Sequence, residues 1–261
     1  MSSAWSEIKE LHRQTTLGAK EGLAFRFFSR PLASTILYFI KDGRITPNQV
    51  TILSLLVGIS GSLLHVFDLT YRGLIVGGAL FMIAHMLDAL DGQLARHRKA
   101  GSVIGMYFDF FIDELKAYFV YIAIAIRLWR QARAGDVPEW VQPAMDAQPF
   151  GVHVILVIAV LGITALAIGI SCTQFVKRKE WLEAFPAGTG GGQKSAMARL
   201  IGVIEMGGKF VIDYPSYIIL LCLIDHVEVY LLVYTAAVAL YAVRALSSIS
   251  LRLWRVNPYL K

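Results

Sequence analysis

Five apolar stretches, at residues 48–67, 73–95, 103–128, 152–176 and 227–251, limit what this chain can fold into more than any other feature. A helix rises 1.5 Å per residue, so about 20 residues cross a hydrocarbon core of about 30 Å. In lipid a single segment satisfies its own backbone hydrogen bonds only as a helix, so each stretch predicts a spanning helix. A sixth stretch, 208–225, holds Asp213 and Pro215, yet its apolar run from Ile218 to Ile224 predicts a span kinked near its start. Residues 23–41 differ, because Leu23, Phe27, Phe28 and Leu32 alternate with Arg26, Arg30 and Pro31. Such a segment suits an amphipathic helix lying in the membrane interface. The expected fold is therefore all-α and integral to a membrane, with six transmembrane helices preceded by an amphipathic interfacial helix. Residues 1–46 form the N-terminal segment, 47–251 the transmembrane domain and 252–261 a tail.

Composition agrees: 56% of the 261 residues are hydrophobic and only 17% charged. The net charge of +6 raises the question of nucleic acid. The basic residues, however, sit beside apolar runs and no aromatic-basic RNA motif or zinc finger occurs, so no nucleic acid is expected and anionic lipid or phosphate is. Cys172 and Cys222 fall inside apolar runs, where they pack as small side chains and imply no disulfide. Residues 1–22 are polar and charged, so no cleavable leader is expected. Lys and Arg flank the cytoplasmic ends of spans. With the N-terminus inside, 18 of them fall on that side and four on the other, namely Arg72, Arg127, Arg130 and Arg133. This places both termini and the 177–207 loop in the cytoplasm, and the 131–149 loop outside.

Carboxylates inside a span are costly and mark function. The second span ends His85-Met-Leu-Asp88-Ala-Leu-Asp91-Gly92-Gln-Leu-Ala95-Arg96, and the third carries Gly105, Asp109 and Asp113. At 100° per residue, Asp88, Asp91, Gly92 and Ala95 share one face, and Gly105, Asp109 and Asp113 form a stripe at i, i+4 and i+8. The connection from Arg96 to Ser102 is short, so the two helices are expected to be antiparallel neighbours with their acids at the cytoplasmic end. Four facing carboxylates repel unless cations lie between them. An all-oxygen set favours Mg²⁺, Mn²⁺ or Ca²⁺ over zinc. Two such ions about 3.5–4 Å apart can clamp a diphosphate and neutralise a phosphate leaving group. The competing structural reading has the acids reaching water or pairing with Arg96, Arg98 and Lys99, and the glycines serving close helix packing.

The run Asp88-x2-Asp91-Gly92-x2-Ala95-Arg96-x8-Gly105-x3-Asp109-x3-Asp113 resembles the motif of the CDP-alcohol phosphotransferase family at all eight fixed positions. The segment Thr46-Pro47-Asn48-Gln49-Val50-Thr51, opening the first span, is similar as well. The resemblance implies transfer of a phosphoalcohol group from a CDP-linked donor to an acceptor hydroxyl, with release of CMP. It further implies Asp88, Asp91, Asp109 and Asp113 as ligands of Mg²⁺ or Mn²⁺, two ions per site, with Asp113 also the catalytic base. Gly92 and Ala95 would face the nucleotide, with Gly105 on the opposite stripe, and Arg96 would suit the phosphates as a planar multidentate donor. Asn48 and Ser102 are further nucleotide candidates, although a cap or turn role suits each equally. A homodimer is also implied.

The acceptor is less legible. Lys177 and Arg178 end the fourth span, Arg244 lies within the sixth and Lys116 follows Asp113 by three residues; together they suggest an anion pocket for a phosphorylated alcohol. Each has a plainer role as topology signal, structural partner of Asp213 or Glu205, or moderator of the nearby acids. His85 reads as a packed core histidine and Gly188–Gly192 as a linker. A lipid donor such as CDP-diacylglycerol with a small polar acceptor is preferred to a soluble CDP-alcohol acting on a lipid or phosphoalcohol, because the site lies at membrane level beside an interfacial helix. Rival classes are a membrane prenyltransferase, whose acid clusters are spaced differently, and a cation transporter, which has no use for a nucleotide-sized face.

Overall fold

The computed structural model describes residues 2–16, 25–147, 149–185 and 217–255. Among them every regular element is helical. Helix α1 runs Ser2–Thr15, and a π-helical turn at Phe25–Ser29 leads into α2, Arg30–Ile40. The long helices α3 (Pro47–Phe67), α4 (Tyr71–His97) and α5 (Val103–Arg133) follow. A short α6 (Gln142–Asp146) and a 3₁₀ turn (Gly151–His153) precede α7 (Val154–Val176). The last described elements are α8 (Lys179–Ala184), α9 (Ile218–Leu223) and α10 (Val227–Arg255).

The helix starts are written locally. Thr46 caps α3 with its side chain on the Gln49 amide, while Gln49 reaches back to the Thr46 amide and Pro47 occupies the first turn. Thr70 caps α4 and Ser102 caps α5 in the same way, each accepting from the glycine three residues on. Helix α3 packs along both α4 and α5, which were expected to be direct neighbours but meet chiefly across α3, and α7 pairs with α10. Close approach of α3 to α4 requires Gly61, where an added Cβ would stand 2.9 Å from the Phe81 ring and 3.0 Å from the Gly77 carbonyl oxygen. Outward faces remain apolar and exposed, as with Leu56 and Leu63 on α3, Leu161 on α7 and Leu240 on α10, the pattern a lipid-facing surface needs.

Among the described residues, four helices are long and apolar enough to cross a membrane: Pro47–Phe67, Tyr71–His97, Gly151–Val176 and Val227–Trp254. The stretch 103–128, expected to span, lies within the 31-residue helix α5, about 46 Å long by rise per residue, which is not among these four. Its Asp109, Asp113, Glu114, Lys116 and Arg127 keep its composition less apolar than the other four. Of the expected span at 208–225, the described part is α9 and the turn after it; residues 208–216, with Asp213 and Pro215, lie outside the described residues, as do Glu205 and Gly188–Gly192.

Three local differences from the sequence reading have physical causes. Helix α5 continues past residue 128 to Arg133, because Arg127 and Arg130 turn back to the α3–α4 connection. Arg127 donates to the carbonyls of Asp68, Leu69 and Thr70 at 2.7, 2.8 and 3.0 Å, and Arg130 donates to that of Val66. Residues 2–15, read as an undifferentiated polar segment, form α1, which seats Leu11 and Thr15 against the bundle. Helix α2 does have two faces, but the buried one is Arg30, Ala33, Ser34 and Leu37, while its Leu32 and Phe39, and Phe27 and Phe28 in the turn before it, are exposed. The arginine points inward because α4 offers it a carbonyl oxygen there.

Candidate active site

The acids predicted from helical spacing converge. One carboxylate oxygen each from Asp88 and Asp91 on α4 and Asp109 on α5 lie within 4.8 Å of one another. Asp91 is buried and its Oδ2 accepts from the Thr51 hydroxyl at 2.5 Å. Thr51 lies on α3, so three helices build the cluster. Asp109 Oδ1 is buried without a hydrogen-bond donor, a costly condition for a carboxylate oxygen and the condition a cation removes. Three hard oxygens within a few ångströms, one of them orphaned, therefore fit a divalent cation of the Mg²⁺ or Mn²⁺ kind.

Asp113, one turn beyond Asp109, lies outside this trio, with 47% of its side chain exposed. Its Oδ1 is 2.7 Å from Lys116 Nζ, and the same ammonium is 2.5 Å from Asp88 Oδ1 and 2.9 Å from Ser54 Oγ. Lys116 is buried, so it bridges the inner acid Asp88 to the outer acid Asp113. The i, i+3 spacing from Asp113 allowed that contact, but the link to Asp88 needed α4 and α5 to pack together on α3.

Above the trio the backbone is bare. A Cβ on Gly92 would stand 3.3 Å from both terminal nitrogens of Arg96 and 3.6 Å from Arg30 Nη1, so two guanidinium groups flank this glycine. Arg96 Nε donates to the Thr15 carbonyl at 2.5 Å, and Arg30 Nη1 donates to the Ala89 carbonyl at 2.5 Å. Gly105 faces the Asn48 carboxamide: an added Cβ would lie 3.7 Å from Asn48 Oδ1 and 3.0 Å from Ser102 Oγ. Ser102 is the cap of α5, and the cap of α3 is Thr46 rather than the exposed Asn48. Ala95 is half-buried on the Gly92 face and His85 is buried one turn before Asp88.

The basic residues considered for an acceptor lie in several places. Lys177, just past α7, sets its ammonium 5.1 Å from the Phe110 ring on α5, and Arg178 is exposed at the start of α8. Arg244 lines a cleft of about 260 Å³ between α7 and α10 with Cys172, Thr173, Tyr241 and Ser248. The buried Lys116 belongs with the acids.

Residues 44–241, most of the chain and all of the acidic cluster, match the CDP-alcohol phosphatidyltransferase family. The chain belongs to this family. Over 137 residues it is 29% identical to the bifunctional IPC transferase and DIPP synthase of Aquifex aeolicus, a match covering 52% of this chain and 30% of that protein. Over 82 residues it is 35% identical to the archaetidylinositol phosphate synthase of Pyrococcus horikoshii, covering 31% of this chain and 42% of the other. The chain matches less than half the length of these relatives. Among solved structures, the phosphatidylinositol phosphate synthase of Mycobacterium tuberculosis with CDP-DAG bound aligns with 87% of this chain and 92% of that one, at 21% identity and a TM-score of 0.38.

Family membership explains why the acids, Gly92, Gly105 and Arg96 were legible: they form a regular local pattern. Arg30, Thr51 and Ser54 were not singled out. The signal for Arg30 was its place among apolar residues in a segment otherwise suited to an interface, and Thr51 stood in the quoted segment opening the first span. Neither has a spacing that ties it to the acids.

Proposed function

We propose that this chain is a cation-dependent CDP-alcohol phosphotransferase of phospholipid synthesis. It moves a phosphoalcohol group, phosphatidyl in type, from a CDP-linked donor to an acceptor hydroxyl and releases CMP. The observation that carries this reading is the meeting of Asp88, Asp91 and Asp109 from two helices beneath a glycine flanked by two guanidinium groups. Cations and arginines together make a diphosphate seat, and a transporter or a simple structural ion cluster needs neither bare glycine nor arginine fork.

Asp88, Asp91 and Asp109 hold the cation, with Asp113 as a further ligand when two ions bind. The cation, when bound, draws charge from the phosphate oxygens and stabilises the departing CMP. Thr51 fixes the Asp91 carboxylate, and Ser54 and Lys116 fix Asp88. Asp113, at the open edge of the cluster, takes the proton from the acceptor hydroxyl as that oxygen attacks the phosphorus of the donor. Lys116 holds the Asp113 carboxylate in place from below. Gly92, Ala95 and Gly105 leave room for the nucleotide, Asn48 and Ser102 border it, and Arg96 takes the phosphates.

A lipid donor is supported by the membrane-length helices and by the exposed Phe27 and Phe28 of the π-helical turn and Phe39 of α2, which suit an interfacial segment. The acceptor is a phosphorylated alcohol, in keeping with a relative named as an archaetidylinositol phosphate synthase. Lys177, Arg178 and Arg244 are the residues for that phosphate. We place six spans, with the site and both termini at the cytoplasmic face on the basic-residue asymmetry, and two copies in the working unit. Incubating the purified chain with Mg²⁺ or Mn²⁺, a panel of CDP-linked donors and a panel of alcohols should release CMP from at least one pair. No CMP from any CDP-linked donor overturns the proposal.

A further inference from the structure

Arg30 lies outside the 44–241 family match, on a helix whose other buried side chains are Ala33, Ser34 and Leu37. A buried guanidinium is costly to desolvate, and its geometry therefore has to be accounted for. Its Nη1 is anchored on the Ala89 carbonyl, a backbone oxygen of the turn that carries Asp88 and Asp91. From there it stands 3.6 Å from the point a Gly92 side chain would occupy, while both terminal nitrogens of Arg96 stand 3.3 Å from the same point.

Two guanidinium groups converging on one bare stretch of backbone present donors that a single multidentate anion can bridge. Both are oriented by neutral carbonyls from different helices, Arg30 by Ala89 of α4 and Arg96 by Thr15 at the end of α1. The α2 helix is itself pinned to α4. Gln93 Nε2 donates to Ser34 Oγ at 2.9 Å, and Ser34 Oγ lies 3.1 Å from the His12 ring of α1. The pair is thus a preset fork rather than two wandering surface arginines.

We infer that Arg30 is a donor-binding residue: with Arg96 it grips the diphosphate of the CDP donor across Gly92, so that the N-terminal segment completes the nucleotide site. A diphosphate is the anion that fits, since its two phosphates span a pair of guanidinium groups and its remaining charge faces the cation held by the acids. This inference rests on the CDP-donor reading above.

The test uses the full chain in detergent with Mg²⁺, comparing wild type with Arg30→Gln and Arg30→Lys. Calorimetry measures CDP and CMP binding, and CMP release measures KM for donor and for acceptor. Arg30→Gln should weaken CDP binding and raise donor KM about tenfold, the loss of one charge-assisted contact. It should weaken CMP binding much less and leave acceptor KM unchanged, and Arg30→Lys should recover part of the loss. Equal loss of CDP and CMP binding, or a donor KM and CDP affinity unchanged from wild type, overturns the inference. If Arg30→Gln lowers the unfolding temperature, Arg30→Lys, which keeps the charge, decides on the same CDP-to-CMP ratio. Failure of the wild type to release CMP from any donor refutes the catalytic reading instead, and the two failures are therefore distinct.

Discussion

Replacing Lys116 by Met tests the electrostatic architecture of the site most directly. The ammonium is buried and meets Asp88 at 2.5 Å, Asp113 at 2.7 Å and Ser54 at 2.9 Å. Methionine keeps the length of the stem, so packing against Gly58, whose Cβ position lies 3.5 Å from the Lys116 Cγ, is preserved and the loss is chiefly that of charge. Breaking the inner contact strands the Asp88 carboxylate, only 10% exposed, and costs about 3–5 kcal/mol. The outer contact to Asp113, 47% exposed, is screened and adds about 0–1 kcal/mol. Taking about 3 kcal/mol for the cation-free protein, the unfolding temperature should fall by roughly 6–12 °C. A divalent ion at Asp88, Asp91 and Asp109 supplies the missing positive charge, so the deficit should shrink when Mg²⁺ or Mn²⁺ is added. Thermal unfolding in detergent, with EDTA and with each ion, measures both quantities. A Lys116→Met protein that unfolds with wild type in EDTA refutes the buried-bridge argument; a deficit that no cation reduces refutes the metal argument.

Other substitutions separate the roles further. Asp113→Asn should abolish CMP release while CDP-donor binding is retained, because the base is lost and the Asp88, Asp91 and Asp109 trio is kept; full turnover in that variant removes Asp113 from the chemistry. Asp88→Asn should lose at least about 100-fold in activity together with its dependence on added cation, checked by titrating Mn²⁺ after EDTA treatment. Thr51→Val removes the donor at 2.5 Å from the buried Asp91, and about 1.5–3 kcal/mol of cation-free stability should go with it, read from the unfolding temperature. Gly92→Ala places a methyl 3.3 Å from the Arg96 fork; the guanidinium ends can yield, so the chain should fold normally, and donor KM should rise about tenfold with acceptor KM unchanged.

Much of the site was readable because its pattern is local. Asp88, Asp91 and Gly92 sit on one face of α4 and Asp109 and Asp113 on one stripe of α5 whatever surrounds them, since helical periodicity alone sets those directions. The short link from Arg96 to Ser102 keeps the two acidic ends at the same level, and the trio forms because α4 and α5 both pack on α3. Four of the expected spans were equally legible, because lipid demands long self-satisfied apolar helices and the chain displays these as uninterrupted runs.

What the tertiary structure decided is every contact that joins residues far apart in the chain. Thr51 to Asp91, Lys116 to Asp88, Arg30 to Ala89 and Arg96 to Thr15 each depend on which face of one helix meets which face of another. No periodicity records that choice, for it is set by where glycines such as Gly61 admit a neighbour and where a buried charge finds an oxygen. The same cause governs α2. Its composition is that of an interfacial helix, and its Leu32 and Phe39 do face outward, but the buried side carries, beside Ala33 and Leu37, the arginine that matters to the site. That arginine was drawn inward by a carbonyl on α4, about sixty residues along the chain.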